Sequence, residues 1–425
     1  MIFKKFCYRI YQVVLLNFMH IIKYNNKAVS KEGAVYYIPE ILKKQGVTGK
    51  VLVITGPHIA KTDIFRKIIK VFKEKGTDCV IFSGTSQETG IDSIESARWL
   101  YLYKNCKAII AIGGGSVMDC AKAAAAGITN PGKRINRFAG YQKVRKKIPV
   151  IVAVPTTAGT GAEVTACAVI RDNSTGVKRI IADTGIIPRF AVLDPLMTKK
   201  LPSHMAAYSG MDALTHATEA YLNKYTSKDA RKDAEMAIKL IAGNIIKVYY
   251  GNGGSASRQK MLEASYLAGR AFVRTSVGYV HAIGHAIGGK YNVAHGMAVA
   301  VVLPYVLIWY GKCIYKKLAR LSDICGITEK DLPESQKAKA YINYIKMLGH
   351  KFGINESFNK ALKNEHISKK DIKNMAKYAI IESNPHYPVP KIMSLKECEY
   401  IIYSICNISC GQDNAKGKSY LWASH

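Results

Sequence analysis

Asp212 and His216 stand four residues apart in a stretch with helical spacing, so both side chains project from one face a turn apart. His281 and His285 repeat that spacing, and His295 follows just before Gly296. One carboxylate among several imidazoles is a donor set for a divalent transition metal. Imidazole suits iron, zinc or nickel, and the carboxylate adds a hard anionic ligand. A lone histidine would read as an ordinary core or surface residue. Four of the chain's 11 histidines gathered in two short helical stretches with an aspartate read as a metal site.

Two further motifs suit a phosphorylated ligand. Gly113-Gly114-Gly115-Ser116 lies where an apolar strand runs into a helix. Glycines let backbone approach a phosphate, and a helix N-terminus offers unpaired N–H groups and the positive end of a dipole. The motif is not GxGxxG and does not follow the first strand, so alone it is equally a tight turn. Pro155 to Glu163, PTTAGTGAE, is a second loop after a strand, dense in hydroxyls and glycines. Such a loop faces a ligand in many α/β proteins, the alternative being a threonine-capped turn.

These motifs need elements to place them. From about residue 30, short β-branched runs alternate with helical stretches: strands at 51–54, 79–82, 108–112, 148–154, 165–171 and 190–194, and helices at 63–75, 91–104 and 117–126. That alternation predicts a parallel α/β sheet. Beyond Pro195 the pattern turns to long helices, at 209–222, 230–246, 255–272, 298–309 and 337–346. The expected architecture is α/β plus all-α: an amphipathic extension at 1–29, a parallel-sheet α/β domain at 30–200 and an all-helical domain at 201–425. A cleft between the two halves is the expected place for chemistry.

Composition bounds the rest. The chain has 425 residues, 48% hydrophobic, enough for sizeable cores, and a formal charge of +32. The excess divides into +7, +10, +7 and +8 over residues 1–50, 51–150, 151–304 and 305–425, so no segment holds it. A bias toward Lys, Ile, Tyr and Asn accounts for the charge without a binding face. One run, Lys133, Arg134, Arg137, Lys143, Arg145, Lys146 and Lys147, is interleaved with Phe138 and Tyr141 and is read as a solvated loop; no nucleic acid is expected as a partner. Ten cysteines without a CxxC pair suit a reducing cytoplasm. The apolar stretch at 10–22 is interrupted by Gln12, Asn17 and His20 and is too short to span a bilayer, so residues 1–25 are expected to pack on the body or a neighbouring subunit, without stable membrane insertion.

Four motifs in order, GGGSVMD at 113–119, PTTAGTGAE at 155–163, GMDALTHATEAY at 210–221 and HAIGHAIGGKYNVAHG at 281–296, resemble the signatures of the iron-containing, or group III, alcohol dehydrogenases. The likeness runs from about residue 30 to 405, and it implies that 30–200 is a nucleotide-binding domain and 201–425 a metal-binding domain. It implies Asp212, His216, His281 and His295 as metal ligands and His285 as the histidine lining the substrate end of the site. Gly114, Gly115, Ser116 and Asp119 of the first motif, Thr156, Thr157, Thr160 and Lys178 match cofactor positions. Fe2+ is the expected metal, with Zn2+ the alternative.

Gly56 stands where NAD-preferring members carry an aspartate, so NADP(H) is expected ahead of NAD(H). Ala162 and Ala286 replace a usual serine and proline. The implied reaction interconverts a primary alcohol and its aldehyde, the metal polarising the substrate oxygen, in a homodimer or higher homo-oligomer. Glycerol or polyol dehydrogenases and dehydroquinate-synthase-like lyases share the fold as rival readings. A basic nucleic-acid-binding protein is the remote one.

Overall fold

The computed structural model describes residues 2–21, 25–86, 88–173, 177–363, 365 and 367–409. Among them are nine strands: β1 Lys27–Ser30, β2 Val51–Thr55, β3 Cys79–Phe82, β4 Ala108–Gly113, β5 Gly140–Tyr141, β6 Val150–Pro155, β7 Cys167–Arg171, β8 Lys178–Ala182 and β9 Phe190–Leu193. Six form a wholly parallel sheet in the order β1-β9-β6-β4-β2-β3. β5, β8 and β7 form a small second sheet.

The central strands are apolar along almost their whole length because both faces are covered, Thr55 at the end of β2 being bonded to Ile112 O. Side chains alternate across the sheet: Leu52, Ile54, Ile109 and Ala111 join one core, with the alanine-rich helix Gly115–Ile128. Val51, Val53, Ile110 and Ile112 join another, with Phe65, Ile68 and Phe72 of the helix Asp63–Glu74.

Register decides which loops meet. Thr55 lies opposite Ile112, and Gly113 opposite Pro155, so β2, β4 and β6 end at nearly one level. Gly56, Gly114 to Ser116 and Thr156 to Thr160 therefore leave neighbouring strands at the same carboxyl edge. The chain steps from β2 to β3 on one side and returns to β4 on the other, which makes the β2/β4 boundary a topological switch point, where α/β sheets hold ligands.

Beyond Leu193 every regular element among the described residues is helical, as the α/β plus all-α reading anticipates. Two compact units emerge: Ile22–Ala206 with Tyr250–Arg270, and Met1–Ile21 with Ala207–Tyr249 and Ala271–His425. Their bounds differ from the expected 1–29, 30–200 and 201–425: β1 begins inside the expected extension, the α/β unit runs on to Ala206, and two helices fall out of chain order. The helix Gly254–Thr275 divides between the units at Arg270, and the N-terminal helix Ile2–Ile21 groups with the C-terminal helices. That first helix packs on the protein's own body through Arg9 and Gln12, while Phe3, Phe6, Ile10 and Val14 stay exposed.

The small second sheet lies partly outside the strands read from the sequence. β8 is exposed at its first three residues and carries Lys178 and Arg179, so it lacks the apolar run that marks a core strand. One stretch, His295–Cys325, is apolar and long enough to cross a membrane by length and composition alone. Its most apolar part is 72% buried inside the protein, as expected of a core helix.

Candidate metal centre and nucleotide loops

Asp212, His216 and Glu219 occupy positions i, i+4 and i+7 of the helix Ser203–Leu222, a single stripe. His281 and His285 lie on the helix Tyr279–Tyr291, which ends at Asn292 in the left-handed conformation. The turn then delivers His295 as the first residue of the helix His295–Tyr310. Its neighbour Gly296 is compelled by close approach: a Cβ there would lie 2.3 Å from the carbonyl oxygen of Tyr208.

These elements converge on one oxygen. Oδ1 of Asp212 is 3.3 Å from His295 Nε2, 3.5 Å from His216 Nδ1 and 3.6 Å from His281 Nε2. The His216 ring stacks between His281 and Phe272, with centroids 4.3 and 4.4 Å away. Asp212, His216 and His281 are all buried. Two ligands held at about 2.1 Å on a tetrahedral ion lie about 3.4 Å apart, so the separations are those of ligands around a shared cation. The buried Asp212 Oδ1 and His281 Nε2 have no hydrogen bond, which is costly unless an ion takes that place. The donor set fits a divalent transition metal.

Electrostatics point the same way. Burial opposes charge on Asp212, but His216 and His295 more than offset it and hold the carboxyl well below its usual range. Burial likewise disfavours an imidazolium at His281, yet Asp212 and Glu219 on either side raise it to about 9. A pocket that draws positive charge so strongly is suited to a cation.

Glu219 was not singled out as a site residue from the sequence. Its Oε2 lies 2.6 Å from His281 Nδ1, and its two oxygens accept from the N–H groups of Gly278 and Val280 at 2.8 Å each. A hydrogen bond from Nδ1–H to Glu219 keeps the Nε2 lone pair facing Asp212, the tautomer a ligand requires. The signal was the i+7 spacing from Asp212. His285 is partnered in the same way: its Nδ1 lies 2.8 Å from Glu382 Oε1, which also accepts from the Tyr387 hydroxyl at 2.8 Å. Burial works against charge on Glu382, but these bonds keep it below the ordinary carboxylate range. The exposed His285 ring stacks on His295, centroids 5.1 Å apart.

The other predicted residues lie in the α/β unit. The two loops are stitched by a bond from Thr156 N–H to Gly113 O at 3.0 Å. A Cβ on Gly114 would meet Thr157 Oγ1 at 3.6 Å, and one on Gly115 would meet Thr160 Cγ2 at 3.1 Å, so side chains there would fill the gap between the loops. Gly115 and Ser116 open a helix, where the first N–H groups have no intrahelical acceptor. Such a cradle fits a dinucleotide diphosphate. Thr160 Oγ1 also accepts from Ala162 N–H at 3.2 Å. Gly56 has an ordinary extended backbone, and a Cβ there would meet only Thr85 Oγ1 at 3.8 Å, so neither strain nor space demands a glycine.

Two cofactor candidates have other partners. The Asp119 carboxylate accepts from Val169 N–H at 3.0 Å and so braces β7, and burial pushes it up to about 6 against the pull of Lys122. Lys178 is exposed on β8 and ion-paired with Glu88 at 2.6 Å.

The comparisons with known proteins agree with this chemistry. The family model for iron-containing alcohol dehydrogenase matches residues 25–195, and that for the C-terminal part of the Fe-containing alcohol dehydrogenase family matches residues 206–406. An NAD-dependent methanol dehydrogenase of Bacillus methanolicus is 32% identical over 362 residues, 84% of this chain and 93% of that protein. A 1,3-propanediol dehydrogenase of Citrobacter freundii is 33% identical over 337 residues, 79% of this chain and 86% of its own. The crystal structure of a 1,3-propanediol oxidoreductase superposes with a TM-score of 0.83 at 30% identity, covering 89% of this chain and 97% of the other. With both family models matched across nearly its whole length, this chain belongs to the iron-containing alcohol dehydrogenase family.

Proposed function

We propose that the chain interconverts a primary alcohol and its aldehyde, with a divalent metal on Asp212, His216, His281 and His295 and a nicotinamide dinucleotide on the loops after β4 and β6. The observation that carries this reading is Asp212 Oδ1 within 3.6 Å of three imidazole nitrogens, buried and without a hydrogen bond. When bound, the metal polarises the substrate oxygen, while the nicotinamide accepts or returns the hydride.

The chain's own residues do the rest. Asp212 supplies the anionic ligand, and Glu219 fixes His281 with Nε2 presented. Glu382 accepts a hydrogen bond from His285 Nδ1–H, which leaves the Nε2 lone pair to take the hydroxyl proton of an alcohol, or Nε2–H to return it to the product of aldehyde reduction. The cradle formed by Gly114, Gly115 and Thr157 carries the diphosphate.

Three finer readings go with this. NADP(H) is the preferred cofactor because Gly56 leaves the end of β2 without a carboxylate to repel a 2′-phosphate; the NAD-dependent relative makes NADH the competing outcome. Exposed Phe3, Phe6 and Val14 support a homodimer or higher homo-oligomer. The free cysteines support a cytoplasmic setting.

The test is metal analysis of purified protein with an anaerobic aldehyde-reduction assay. His281→Ala and His295→Ala should lose both tightly bound metal and turnover. Full activity after chelation and dialysis defeats the assignment.

A further inference from the structure

We infer that Arg9 and Gln12, on the N-terminal helix, are positioning residues for His285, acting through the segment Glu382–Pro390. The inference rests on the proposed role of His285 in proton transfer. The helix Ile2–Ile21 precedes both stretches matched by the family models and so lies outside the shared core.

The segment 385–390 contains Pro385, Pro388 and Pro390, which have no N–H and cannot join a regular ladder. Its carbonyls must find donors elsewhere. Lys224 N–H serves Pro388 O at 2.9 Å. The N-terminal helix serves three more: the Arg9 guanidinium donates to Val389 O at 2.7 Å and Pro390 O at 3.0 Å, and Gln12 Nε2 donates at 2.8 Å to Tyr387 O, which also accepts from Val389 N–H at 2.8 Å. Arg9 also donates to Gln12 Oε1 at 2.9 Å, so the pair acts as one clamp. Gln12 is 0% exposed, a burial tolerated only because both ends of its amide are bonded. The Tyr11 hydroxyl adds a contact to His386 Nδ1 at 3.2 Å.

From the clamp to the histidine the path is short. The Tyr387 hydroxyl donates to Glu382 Oε1, the same oxygen that faces His285 Nδ1. Tyr279 pins the flanks of the segment, through Asn384 Oδ1 at 2.9 Å and Met393 N–H at 2.8 Å. Its middle has short-range backbone bonds, Tyr387 N–H to Ser383 O at 2.7 Å and Val389 N–H to Tyr387 O at 2.8 Å, and is tied to other elements by Lys224 and by the N-terminal helix. Without the clamp, Tyr387 and Glu382 would hold His285 in several orientations, of which only some present Nε2 to the substrate.

The experiment compares the full-length, metal-loaded protein with Arg9→Ala/Gln12→Ala. Metal per chain and cofactor KM should stay unchanged, amide exchange over 382–393 should accelerate, and kcat should fall about three- to tenfold. Arg9→Lys, which keeps the charge and one donor, is the milder variant and should recover most of the kcat. In a Tyr387→Phe background the double substitution should cost nothing further. Unchanged kcat in the double variant, or losses that add fully in that background, overturns the inference. His285→Ala separates the two levels. If it is fully active, the reading of His285 fails. If it is impaired while the Arg9/Gln12 variant matches wild type, only the clamp fails.

Discussion

Glu163 is 2% exposed, and its Oε1 has no hydrogen bond, an uncomfortable place for a carboxylate. Burial pushes it up to about 7 from an ordinary 4.5, against the pull of its own backbone and of Lys122. Between those values the folded protein holds a proton that the unfolded chain has released, so stability falls as pH rises through the window and levels above it. At about 1.4 kcal/mol per pH unit the loss is on the order of 3 kcal/mol. Glu163→Gln should remove this slope. Thermal melts from pH 4.5 to 8 should converge at the acid end and separate, variant above wild type, at the alkaline end; parallel curves would refute the account. At this scale the sequence was informative wherever chemistry has a spacing. The four-residue intervals of Asp212/His216 and His281/His285 were visible because helical periodicity turns them into faces. Glu219 shares that stripe, but its acceptor role depends on a second helix. Glu382 reaches His285 across 97 positions, a distance that no local pattern encodes.

The strand and helix cores were the most legible elements, because a strand buried on both faces must be a continuous apolar run, as 51–54 and 108–112 are. The small sheet was harder to read. β8 is mostly exposed, and its charged residues imitate a loop. The grouping of Tyr250–Arg270 with the α/β unit follows from tertiary packing and has no compositional mark. The joint between β4 and the helix Gly115–Ile128 shows how closely two elements can meet: a Cβ on Gly113 would lie 2.4 Å from Val117 Cγ2. Gly113→Ala should therefore cost about 1–3 kcal/mol by overpacking and lower the melting temperature. Val117→Ala removes the opposing methyls, so the double variant should be more stable than the sum of the single losses predicts. Strict additivity would mean that the glycine answers some other demand.

At the scale of the whole molecule the charge of +32 is the most conspicuous property and the least localised. Even the basic run at 133–147 is partly structural. Lys133 Nζ sits 4.3 Å from the ring centroid of buried Phe138, while Arg134, Arg137 and Lys143 are exposed. Charge spread this evenly sets a positive potential over the surface that raises the local concentration of anions. A dinucleotide cofactor is such an anion, and the 2′-phosphate makes NADPH more highly charged than NADH. Salt shortens the reach of the field to about 10 Å at 0.1 M. The KM for either cofactor should thus rise with ionic strength, and that for NADPH more steeply, while kcat at saturation stays constant. Steady-state aldehyde reduction at several salt concentrations, with each cofactor in turn, measures this directly. A flat response for both would show that the charge has no part in cofactor capture. Equal slopes would keep the global field but remove the advantage assigned to the extra phosphate, and with it the support that charge lends to the Gly56 reading.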